Sequence, residues 1–200
     1  DMVLSTERID LHPDCPVVYL SEIFDEMEIS RKIEHEQFLS RGKIKVKSGL
    51  NSLIATILEP ELFFLLPTGI SFSEALIHML ESLLNEKVID DEFCRIMLER
   101  EQKVTMLFDE DIGFPHILYN GQRLIFAIGV TGLEKSQQGL RVVFLLGLPK
   151  NMDYDDQILM RIYNEIISIA GNSAIVEGIC QCRSVKEFYN YMIKNNAFFE

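Results

Sequence analysis

Apolar positions along this chain follow two different periods. Continuous apolar runs at residues 124–130 and 142–147, bounded by Gly and Pro, predict central strands covered on both faces. Shorter runs at 2–4 and 17–20, separated by a loop carrying His12-Pro13-Asp14 and Pro16, predict two further buried strands. Elsewhere the spacing is helical. Over 26–40, Ile29, Ile33, Gln37 and Phe38 fall near one face, and Gly42 supplies a stop. Ser71 or Ser73 can cap a helix with Ala75, Leu76, Met79, Leu80, Leu83 and Leu84 on its apolar side, and Asp90 can cap a second over 92–101. After Pro149, Ile158, Leu159, Ile162, Ile166 and Ile169 mark one long amphipathic helix, and 185–193 marks a terminal one. Strands interleaved with covering helices predict an α/β layered domain.

Residues 41–48 fit neither class, since Lys43, Lys45 and Lys47 alternate with Ile44 and Val46 as in an edge strand or a solvated linker. The domain boundary is therefore expected between Gly42 and Pro60, giving a first unit over 1–42, a linker over 43–57 and a second unit over 58–200. The chain opens at Asp1 rather than Met and runs almost at once into an apolar segment, so a piece of a longer polypeptide is expected. The longest apolar stretches, 62–66 and 142–148, fall well short of the roughly 20 residues that span a bilayer. With no charged segment leading into an apolar one at the N-terminus, a cytoplasmic location without membrane insertion is expected.

Charge narrows the function classes. Over 200 residues, 19 Lys plus Arg stand against 31 Asp plus Glu, a net charge of −12. That is the wrong sign for a module that binds by neutralising phosphates, so direct nucleic-acid contact is not expected. Cys15, Cys94, Cys180 and Cys182 are too few and too scattered for a disulfide framework and read as reduced thiols. No metal-ligand spacing, glycine-rich phosphate loop or G-x-S-x-G is present, and no cofactor or metal is expected. His12 in its loop, His35 on a charged helix and His78 within an apolar one read as ordinary structural histidines.

His116 has the most informative setting: Ile112-Gly113-Phe114-Pro115-His116, directly before a loop with Asn120-Gly121 and then a buried strand. Pro115 restricts the backbone leading to the imidazole. A neutral imidazole nitrogen is a competent nucleophile for phosphoryl transfer, a reaction governed by positioning and by compensation of phosphoryl charge. Arg100, in Leu98-Glu99-Arg100-Glu101 at the end of the preceding helix, has the planar fork suited to that compensation. It could equally form an ion pair with Glu99, Glu101 or Asp91.

Taken together, Arg100-Glu101 and the Ile112 to His116 segment resemble the enzyme IIA domain of the fructose/mannitol class in the bacterial sugar phosphotransferase system (PTS). The separation of 16 residues between Arg100 and His116 fits that family's pattern without a gap. The resemblance implies a mixed β-sheet with helices on both faces. It also implies that His116 accepts a phosphoryl group from the carrier protein HPr while Arg100 stabilises its charge. The chain departs from the family's transport-type members in two places. Where they carry a second histidine it has Asp153-Tyr154-Asp155-Asp156-Gln157, with Asp156 as the counterpart that could orient the imidazole or cap a helix. Asp109-Glu110-Asp111 stands where small residues are usual, and carboxylates there raise the cost of placing a phosphoryl group.

The first 42 residues resemble the second half of a galactitol-like enzyme IIB domain, without its phosphocysteine loop. A IIB remnant before a IIA domain is similar to the C-terminal arrangement of PTS-controlled transcriptional regulators of the antiterminator/activator family. That resemblance implies HPr and the other domains of the parent regulator as partners, and a homodimer in the full-length protein. A IIA fold used only for protein interaction and a IIA component of a sugar transporter are the alternatives.

Overall fold

The computed structural model describes residues 3–5, 17–19, 51–108, 111–132, 139–150 and 156–199. The chain divides into two compact units, 1–46 and 47–200. In the first, β1 (Val3–Ser5) and β2 (Val17–Tyr19) pair in parallel, with Val3 opposite Val17. The helix predicted over 26–40 and the lysines of 43–47 lie outside the described residues.

The second unit opens with α1 (Leu53–Ile57), capped by Ser52, whose hydroxyl accepts from the Ala55 N–H. All five α1 residues are buried, so the linker expected over 43–57 does not reach its end: 53–57 belongs to the core. A 3₁₀ turn, Pro60–Leu62, leads into β3 (Phe63–Leu65). Two helices follow: α2 (Phe72–Asn85), held by a reciprocal cap between Ser71 and Glu74, and α3 (Asp91–Lys103), capped by Asp90. Then come β4 (Leu107–Phe108), β5 (Ile112–Gly113), β6 (His116–Tyr119), β7 (Ile125–Val130) and β8 (Val142–Pro149). Three helices finish the unit: α4 (Asp156–Ala170), α5 (Ser173–Gln181) and α6 (Val185–Lys194).

The six strands form one mixed sheet in the order β3-β7-β8-β5-β4, with β6 also on β8. β3 runs parallel to β7, β7 antiparallel to β8, and β5 and β6 parallel to β8. Every residue of β7 and β8 is buried, which requires both faces of the sheet centre to be covered. The long amphipathic helix expected after Pro149 is α4, which ends before Gly171-Asn172. α5 follows it as a helix the sequence reading did not anticipate, capped by the Asn172 side chain, which accepts from the Ala174 and Ile175 N–H groups.

β5 and β6 lie end to end along the same edge of β8, interrupted only by Phe114-Pro115. Proline has no N–H to give a ladder, yet its carbonyl accepts from Leu146 N at 2.9 Å, so the edge stays continuous across the break. His116 is therefore the first residue of a strand rather than the residue before a loop, and it pairs with Leu146.

Candidate functional site

α3 carries Arg100 to this break. Phe93, Met97 and Arg100 are spaced four and three residues apart and share one helix face. Phe93 and Met97 are buried, and Phe93 packs edge-on against Tyr119 of β6, with ring centroids 5.0 Å apart at 80°. Arg100 is the next position along that anchored face, in the last turn, where the helix dipole favours a cation. Its Nη2 lies 2.9 Å from Nε2 of His116. Two of the three carboxylates that could compete for Arg100 are engaged elsewhere: Glu99 pairs with Arg95 at 2.7 Å, and Glu101 accepts from the Thr105 hydroxyl and from Met106 N.

The imidazole is fixed from its other side. Its Nδ1 is 2.9 Å from the carbonyl oxygen of Phe114. A carbonyl can only accept and a guanidinium can only donate, so Nδ1 carries the hydrogen and Nε2 presents its lone pair to Arg100. Burial, aided by the Arg100 charge and opposed by the Phe114 carbonyl, holds the His116 pKa below its ordinary value. The ring is a neutral base with one nucleophilic nitrogen.

Two aromatic rings complete the site. Phe114 tilts against the imidazole at 4.9 Å and 36°, and Tyr163 of α4 meets it at 5.4 Å and 87°. A groove of about 680 Å³ opens beside His116, lined among others by Ile96, Val104, Met106, Phe108 and Phe114. Val104 and Phe108 are exposed at 71% and 45%, leaving apolar surface next to the imidazole.

Of the residues singled out from sequence, His116 and Arg100 are thus brought into contact. Asp156 is the first residue of α4, and its side chain lies outside the described residues, as do Asp109, Glu110 and 153–155. Asp111 uses its backbone carbonyl to accept from Arg141 N and Val142 N. His78 lines a separate open groove with Glu74 and Glu81. Among the described residues no group of three His, Cys, Asp or Glu side chains could hold a metal ion, and no helix is long and apolar enough to cross a membrane. Cys94, Cys180 and Cys182 are free thiols, and burial pushes the latter two up to about 11, which makes them poor nucleophiles. Sequence reading missed Tyr163, whose position within an amphipathic helix carries no signal of what its ring touches.

A mixed sheet covered by helices, with an arginine against an imidazole at a strand break, defines an α/β domain with a nucleophilic nitrogen beside a cation, and the comparisons with known proteins place it in a family. Residues 56–195 match the family model for the phosphoenolpyruvate-dependent sugar phosphotransferase system, EIIA 2, and the chain belongs to that family. Three solved structures share the fold. The nitrogen regulatory protein IIA-Ntr of Neisseria meningitidis is 17% identical with a TM-score of 0.56, over 70% of this chain and 99% of its own. A putative PTS IIA protein of Streptococcus mutans is 16% identical with a TM-score of 0.52, over 71% and 94%. The mannitol IIA of Escherichia coli is 19% identical with a TM-score of 0.50, over 68% and 98%. No curated protein sequence matches the chain significantly.

Proposed function

We propose that the second unit accepts a phosphoryl group from HPr on Nε2 of His116, and that the chain is the C-terminal regulatory part of a PTS-controlled transcriptional regulator. The contact between Arg100 Nη2 and His116 Nε2 carries the first half of this reading. In the resting site the guanidinium donates to the lone pair that must attack. An incoming phosphoryl group displaces that N–H, and the long arginine side chain moves onto the phosphoryl oxygens, where its charge is needed. The Nε2 lone pair forms the new N–P bond as the donor imidazole leaves with the electrons of the old one. Nδ1 keeps its hydrogen, and the Phe114 carbonyl stabilises the positive charge that the ring acquires.

The apolar surface at Val104 and Phe108 suits a protein donor, because it offers contact area beside the reacting nitrogen. The regulator assignment rests on the resemblance of residues 1–42 to the end of a IIB domain, to which the parallel β1–β2 pair adds support. The test is intact-mass spectrometry after incubation with phosphoenolpyruvate, enzyme I and HPr, kept at neutral to alkaline pH. A gain of one phosphoryl group, absent in His116→Ala, is expected. An unlabelled wild type beside a labelled transport IIA control overturns the acceptor role and leaves an interaction module.

A further inference from the structure

We propose that Tyr163 is a positioning residue: its ring, together with that of Phe114, locks the His116 imidazole in the one orientation that leaves Nε2 free to react. The inference rests on the reading of His116 Nε2 as the acceptor.

The terminal torsion of a histidine is broad and roughly two-fold, so half a turn about it would swing Nδ1 away from the Phe114 carbonyl and Nε2 away from Arg100. The bond from Nδ1 to Phe114 opposes this, but a single hydrogen bond sets only about a two- to tenfold net preference. Ring contacts supply the remaining restraint. Phe114, His116 and Tyr163 are in mutual contact, with Phe114 and Tyr163 5.1 Å apart at 69° and the imidazole 4.9 Å and 5.4 Å from the two. Phe114 precedes His116 on the same strand edge and shares its local motion. Tyr163 comes from a different element, the middle of α4, where Ile162 and Ile166 on either side are buried in the core. It is the independent wall of the clamp.

The ring, rather than the hydroxyl, carries this function. Among the described residues the Tyr163 hydroxyl makes no hydrogen bond, so packing alone holds the side chain in place.

The experiment compares wild type, Tyr163→Ala, Tyr163→Leu and Tyr163→Phe by ¹⁵N NMR of the histidine ring at pH 7.5 and by the rate of phosphoryl transfer from phosphorylated HPr. Wild type and Tyr163→Phe are expected to show the two well-separated ring nitrogen signals of a single Nδ1–H tautomer, and to accept phosphoryl groups at rates within twofold of each other. Tyr163→Ala is expected to draw the two signals together by tautomer mixing and to slow transfer about tenfold. Tyr163→Leu keeps buried volume without an aromatic ring and gives the same readouts if the alanine variant does not fold. A single tautomer and wild-type rates in the alanine and leucine variants overturn the proposal, as does a phenylalanine variant as impaired as alanine. If wild type accepts no phosphoryl group, the acceptor reading fails while the tautomer signals still decide whether Tyr163 locks the ring.

Discussion

Arg100 Nη2 and His116 Nε2 lie 2.9 Å apart, with the guanidinium in the last turn of α3 and the imidazole at the first residue of β6. The two are 16 positions apart in sequence, yet the contact needs no induced movement of either backbone. If His116 accepts the phosphoryl group as proposed, replacing Arg100 by Ala removes the charged donor to the phosphoryl oxygens, a class of change that slows reaction about 10²-fold. Arg100→Lys retains the charge but not the fork, so an intermediate rate is expected. Stopped-flow or quench measurements of transfer from phosphorylated HPr check both variants.

Titration of His116 offers a separate check. Burial and the Arg100 cation both disfavour the imidazolium, so the ring titrates below its ordinary value of 6.5. The transfer rate is therefore expected to be flat with respect to this group above pH 6.5, falling only below the depressed pKa. In Arg100→Ala one of the two depressing causes is gone, and the NMR-monitored His116 pKa should rise. A fall or no change would show that the guanidinium does not act on the ring.

Glu165 of α4 reaches the start of α1. Its carboxylate accepts from the Ser52 hydroxyl, from Leu53 N at 2.8 Å and from Ile54 N at 3.3 Å. Those bonds and the nearby Arg161 charge favour the carboxylate, but burial outweighs them and lifts the pKa from 4.5 to about 7. A carboxyl with a raised pKa in the folded state contributes stability that is full below about pH 4.5 and lost as pH rises through 7. The loss amounts to about 3 kcal/mol. His116 contributes with the opposite sign, its neutral form being favoured in the fold, so the two must be separated by mutation. Glu165→Gln keeps a side-chain oxygen for the α1 N–H groups without a titrating proton. Urea unfolding from pH 4.5 to 8 should show wild type losing stability relative to this variant.

The apolar runs at 124–130 and 142–147 made β7 and β8 legible in the sequence, because a strand covered on both faces has no polar side to alternate. The caps at Ser71 and Asp90 did the same for α2 and α3. Elements whose formation depends on distant partners were not legible. α1 is five residues long, too short to persist alone, and is held by Glu165 more than 100 residues away. α5 was not predicted at all, although Gly171-Asn172 before it is a local stop and cap signal. At the site, the Arg100 to His116 spacing was readable, whereas the Tyr163 contact arises only from how α4 lies against the sheet.

Gly147 of β8 links packing to chemistry. It pairs with Ile117 of β6 and Ile125 of β7, and a Cβ there would run into the Phe93 ring, whose Cζ would sit 2.8 Å away. That ring has little room to yield, since it is buried and already packs edge-on against Tyr119. In Gly147→Ala the strain must therefore move α3 outward, and Arg100, on the same face as Phe93, moves with it. The expected cost is about 1–3 kcal/mol in stability. Transfer to His116 should slow as well, although no residue of the site has changed. Gly171→Ala is the control: its Cβ would meet only backbone at 3.5 Å and beyond, so stability and rate should both hold. If Gly147→Ala lost stability but transferred at the wild-type rate, the seating of Phe93 would not set the position of Arg100. Arg100 would then owe its place to the Glu101 contacts at the end of α3 instead.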